Sequence, residues 1–90
     1  MTRILVNIVL AEGGVEQIRS NPELPKKEME FVNQWKEEDI LEHFFITASK
    51  NGAVLIFQNI TGIKAKELIE ALPYFPFMSK IDYLTLDKHF

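Results

Sequence analysis

The sequence predicts an α+β fold built on one antiparallel sheet, and three observations carry that prediction. Four runs rich in aliphatic and aromatic residues read as strands. Two segments between them repeat apolar residues at helical spacing. Turn-forming residues stand at the junctions. At 90 residues, 47% of them hydrophobic, the chain is sized for a single domain, 1–90, around one core.

Arg3 to Leu10 is the first strand. Gly13-Gly14 and Asn21-Pro22 are turn signals around a weakly patterned stretch, in which Val15–Arg19 suits one short helical turn. Pro25 opens the first long helix, where its missing N–H costs no helical hydrogen bond. Leu24, Phe31, Val32 and Trp35 form its apolar side, and Lys36-Glu37-Glu38-Asp39 its solvated end. Ile40 to Ser49 and Ala53 to Gln58 are the second and third strands. Between them Asn51-Gly52 reads as a two-residue type I′ turn, which needs φ > 0 twice. That turn pairs Lys50 with Ala53, Ala48 with Leu55 and Ile46 with Phe57. Thr61 is placed to cap the second helix, whose apolar side is Ala65, Leu68, Ile69 and Leu72. In Leu72-Pro73-Tyr74-Phe75-Pro76-Phe77-Met78 two prolines bracket aromatic rings, so neither helix nor strand continues through it and the segment is a corner. Lys80 to Leu86 is the fourth strand. The order βαββαβ is that of a ferredoxin-like sheet with two helices on one face.

Alternation along the strands then sorts the sheet into two faces. Ile4, Val6, Ile8, Leu10, Phe44, Ile46, Ala48, Ala53, Leu55 and Phe57 share the face expected under the helices. The second face carries Leu5, Asn7, Val9, His43, Phe45, Thr47, Val54, Ile56 and Gln58, with Ile81, Tyr83 and Thr85 expected from the fourth strand. It is too apolar to face water, and two helices cover only one side. A second copy of the sheet is the expected cover, giving a homodimeric α+β barrel with an internal cavity. The polar residues on that face, Asn7, His43, Thr47, Gln58 and Tyr83, are the candidate small-molecule site.

His43 is the candidate acid/base, because an ordinary imidazole titrates near pH ~6.5. Asn7 and Tyr83 are candidates to orient a carbonyl or carboxylate, with Thr47 and Gln58 as further binding residues. Asp82 is a second proton-transfer candidate if buried. His89 lies in the tail, and the two histidines lack metal-ligand spacing. Gly13-Gly14 has no dinucleotide or phosphate-loop pattern, and no nucleophile elbow exists. Neither a metal nor a cofactor is expected. A net charge of −3 without a basic stripe argues against nucleic acid. The chain has no cysteine, and its Ile4–Leu10 run is too short to span a bilayer and lacks a cleavage pattern. A cytoplasmic protein without a membrane partner is expected.

The run His43-Phe44-Phe45-Ile46-Thr47-Ala48, then Val54-Leu55-Ile56-Phe57, the helix Gly62 to Leu72 and the Leu-Pro-x-Phe-Pro-aromatic-Met corner resemble the muconolactone isomerase-like family. The resemblance covers about half the chain, from Ile40 to Leu86, and the corner is its specific part. It implies a ferredoxin-like subunit in a dimeric barrel, sometimes in rings of dimers. It also implies a cofactor-free proton shift on a small unsaturated lactone, with His43 at a pocket position. Two other functions suit the same fold: a non-catalytic binding or assembly module, and a monooxygenase of the antibiotic-biosynthesis or haem-degrading kind.

Overall fold

The structure, a computed structural model, describes residues 2–90. Its elements are β1 (Thr2–Leu10), α1 (Gly14–Arg19), α2 (Glu23–Glu37), β2 (Leu41–Ile46), β3 (Gly52–Phe57), α3 (Gly62–Glu70) and β4 (Met78–Asp87), with a 3₁₀ turn at Phe75–Phe77 before β4. The strands stand in the order β2-β3-β1-β4, each antiparallel to its neighbours. This is the ferredoxin-like arrangement, with its first crossover divided between α1 and α2.

Local signals explain most boundaries. Gly13 enters α1 with φ 81, a conformation that costs glycine little. Pro25 lies in the first turn of α2, where no intrahelical donor is needed. The other end of α2 closes as a Schellman motif with Asp39 in the left-handed position, φ 61. The Ile40 N–H bonds the Trp35 carbonyl and the Asp39 N–H bonds that of Lys36, both at 3.1 Å. Thr61 caps α3, its Oγ1 accepting from the Lys64 N–H at 3.1 Å.

The hairpin departs from expectation. Leu55 faces Phe44 and Ala53 faces Ile46, so β2 ends at Ile46 and residues 47–51 form a longer loop. The left-handed residue is Lys50, φ 61, while Gly52 already belongs to β3. Gly52 is needed for a different reason: a Cβ there would lie 2.2 Å from the Ile8 carbonyl oxygen. Leu55 takes Phe44 where Ala48 was expected, an even offset of four positions, so the faces of β2 and β3 stay as predicted.

Ile4, Val6 and Ile8 of β1 join Leu55 and Phe57 of β3 beneath Val32 and Trp35 of α2 and Ala65 and Ile69 of α3. Phe57 is fully buried, and the Trp35 ring meets it edge-on at 5.5 Å. The faces of β4 are a correction. Val6 pairs with Tyr83 and Ile8 with Ile81, which puts Ile81, Tyr83 and Thr85 on the helix side. Leu84 and Asp82, opposite Leu5 and Asn7, take the second face instead. Leu84 and Leu86 compete with Ile81 and Tyr83 for the core side, and a bulge at Ser79, opposite the Val9–Leu10 step, shifts the register by one residue that the pattern does not reveal. No described helix is long and apolar enough to cross a membrane.

Candidate functional site

The residues singled out from the sequence divide among four places. His43 and Asn7 share the second sheet face. Asn7 stands opposite Asp82, whereas His43 pairs with Ile56 and stacks on Phe45 at 6.0 Å. Strand β3 lies between the strands of His43 and Asn7, which are therefore two strand spacings apart across the sheet, roughly 10 Å. Thr47 lies in the hairpin loop, its Oγ1 donating to the Gly52 carbonyl at 3.2 Å. Gln58 is at the far end of β3, its Nε2 donating to the Asp39 carbonyl and carboxylate at 3.2 and 3.1 Å. Tyr83 is on the helix side, and burial, with the Glu70 charge as a lesser cause, raises its phenol pKa.

His43 adjoins a charge cluster. Glu42 is the extra residue of a bulge between Leu41 and His43. Arg3 reaches it past β3 and donates twice, Nε to Oε1 at 2.8 Å and Nη2 to Oε2 at 3.1 Å. Lys88 adds a third bond to Oε2 at 3.1 Å. The Arg3 hydrogen bond, opposed by burial and helped by Lys88, holds the Glu42 carboxyl at about 2. His43 Nε2 lies 3.8 Å from Glu42 Oε1, so at neutral pH the imidazole has a charged but already engaged acid beside it.

On the opposite side of the sheet the chain forms a cavity of about 350 Å³, within the ~300–1,000 Å³ usual for small-molecule sites. It lies between α1 and α2 and the hairpin end of the sheet. Ile18, Val32, Phe44, Leu55 and Leu72 give it apolar walls. Arg19, Met29, Ile46 and Lys50, all exposed, mark its open side. The polar groups that reach it farther in are Glu28 and Tyr74.

Glu28 is the candidate residue that sequence reasoning missed. It is buried on α2, one turn before Val32 on the apolar side. Its Oε1 accepts the Tyr74 backbone N–H at 3.0 Å. Burial pushes its carboxyl up to about 7, and the Tyr74 N–H pulls only partly the other way. The signal was present in the spacing: Leu24, Glu28, Phe31, Val32 and Trp35 continue one stripe, with an acid at a position where packing calls for an apolar side chain. A carboxyl that titrates near neutral pH in an apolar enclosure is equipped to take and return a proton.

Among the described residues no group of three or more His, Asp or Glu side chains is gathered to hold a metal ion. No protein-family model matches the chain, and no curated protein matches it, so the geometry of the cavity and of the second sheet face carries the functional reading.

Proposed function

We propose that the chain is a cofactor-independent, isomerase-like enzyme that moves a proton on a small carbonyl compound or lactone. This is the reaction type implied by its resemblance to the muconolactone isomerase-like family. The observation that carries the proposal is Glu28, a buried carboxyl with a pKa of about 7 lining a cavity of about 350 Å³. In this reading Glu28 is the general base and then the general acid, and the apolar walls exclude water. Arg19 and Lys50 at the open side favour a substrate that also bears an acidic group.

The test is proton exchange in D₂O, followed by NMR over a panel of unsaturated lactones and keto acids. Catalysed exchange or double-bond migration is expected with at least one of them. E28Q should lower it ~10²–10⁴-fold with the fold intact. Exchange that survives E28Q unchanged would remove Glu28 from the reaction.

A second reading moves the chemistry to the other sheet face and is favoured by one observation, the shared face of His43, Asn7 and Asp82. Phe45 and Leu84 are 55% and 56% exposed there, beside Leu5, Val54 and Ile56. A second copy of the chain, laid sheet to sheet, covers that surface in the proposed dimer. Sedimentation should show association at micromolar concentration that Leu84→Glu abolishes, and a stable monomer of the unmodified chain would end the proposal. Activity lost in His43→Ala but kept in E28Q selects the second reading over the first.

A further inference from the structure

We propose that the Tyr74 hydroxyl is a second chemical group of the helix-side cavity, donating a hydrogen bond to the ligand oxygen that gains negative charge as Glu28 removes a neighbouring proton. This rests on the reading of that cavity as a proton-transfer site. Glu28 and Tyr74 line it from different elements, α2 and the corner before β4. Their relative placement is fixed by the bond from the Tyr74 N–H to Glu28 Oε1, 3.0 Å.

The corner itself is held. The Phe75 N–H bonds the Leu72 carbonyl at 3.0 Å, and the Phe77 N–H bonds that of Tyr74 at 2.9 Å. Pro73 and Pro76 restrict the backbone on either side of Tyr74. The phenol is half-buried, and among the described residues its hydroxyl has no hydrogen-bond partner. A hydroxyl on a residue that lines the cavity, without a protein acceptor, is available to a ligand. Burial first, and the Glu28 charge second, raise the phenol above its usual 10, so it keeps its proton while Glu28 titrates near 7. Both groups are raised, and the phenol stays the weaker acid of the two, so side by side they are suited to opposite roles, donor and base.

The step balances without another reactant. The Glu28 carboxylate takes a proton from a carbon next to the carbonyl. The C–H electron pair moves into the carbonyl, giving an enolate whose oxygen accepts the Tyr74 O–H hydrogen bond. Glu28, now protonated, returns the proton to a different carbon of the conjugated system, and the double bond shifts. Tyr74 keeps its proton throughout.

The test uses two probes, 4-nitrophenolate as an oxyanion and nitrobenzene as its neutral counterpart. E28Q stands for the protonated carboxyl of the intermediate and removes charge repulsion with the anion. E28Q is expected to bind 4-nitrophenolate roughly 10–100 times more tightly than E28Q/Y74F, the effect of one hydrogen bond to a charged acceptor. The two variants should bind nitrobenzene equally, because Tyr74→Phe keeps the ring and the backbone N–H. Equal affinity for 4-nitrophenolate, or a parallel loss for both probes, would overturn the role of Tyr74 while leaving the cavity as a ligand site. Failure of both probes to bind the wild type and both variants would overturn that reading of the cavity as well.

Discussion

The backbone N–H of Tyr74 donates to Glu28 Oε1 at 3.0 Å and so joins α2 to the corner between α3 and β4. The donor belongs to the main chain, so any residue except proline at position 74 keeps it. Glu28 is thereby oriented by the fold rather than by a second side chain. Its charge is left uncompensated, which is why burial dominates its titration.

The pH dependence of the proposed reaction follows from that titration. Proton abstraction needs the Glu28 carboxylate, so initial rates should rise through pH about 7 and level off above it. A rate profile without a limb near neutrality would argue against Glu28 as the base.

Stability should move in the opposite direction. Folded Glu28 titrates at about 7 and unfolded Glu28 near its ordinary 4.5, so between those values the folded chain holds a proton that the unfolded chain has released. Stability therefore falls as pH rises through this window, by at most about 1.4 kcal/mol per pH unit. E28Q removes this dependence. Urea melts at about pH 5 and pH 8 should show the variant gaining on the wild type at the higher pH.

Glu42 gives the reverse sign. Its folded pKa of about 2 lies below the ordinary 4.5, so its contribution is complete above about 4.5 and is lost as pH falls toward 2. Glu42→Gln is expected to unfold at lower urea than the wild type at neutral pH, with the two midpoints converging in acid. Because Arg3 is 6% exposed and loses its carboxylate acceptor, the neutral-pH deficit should also persist in moderate salt.

The hairpin offers a paired test of backbone geometry. Gly52→Ala drives a methyl toward the Ile8 carbonyl oxygen, 2.2 Å away, and should destabilise by about 1–3 kcal/mol or more. Lys50→Gly relaxes a lysine at φ 61 and should stabilise by about 1 kcal/mol. Equilibrium urea unfolding of both variants checks the two signs together.

These features differ in how far the sequence disclosed them. The fold class and the core were legible because Ile4, Val6, Ile8, Leu55 and Phe57 alternate cleanly and Trp35 and Ile69 recur at helical spacing. Thr61 was legible as a cap because one hydroxyl explains it. Asn51-Gly52 misled because two demands on glycine look the same in sequence: a left-handed turn, and close approach to a neighbouring strand. Glu28 escaped notice because a charged residue within an apolar stripe reads as solvated until the cavity beside it is seen. Tyr83 was placed on the wrong face because Leu84 and Leu86 compete with Ile81 and Tyr83 for the core side.

That competition has a consequence for the corner between Leu72 and Met78. Both sides of β4 present hydrocarbon, Ile81 and Tyr83 on one and Leu84 and Leu86 on the other, with Lys80 and Asp82 on the latter. Which side meets the helices is decided where the corner hands over to the strand: Ser79 is an extra residue opposite the Val9–Leu10 step, so the helix side passes from Met78 to Ile81. Deleting Ser79 would leave the apolar residues of the strand untouched and yet exchange Tyr83 for Leu84 beneath α3. The bulge is thus a counting device, and its one extra residue carries information that the alternation of the strand does not.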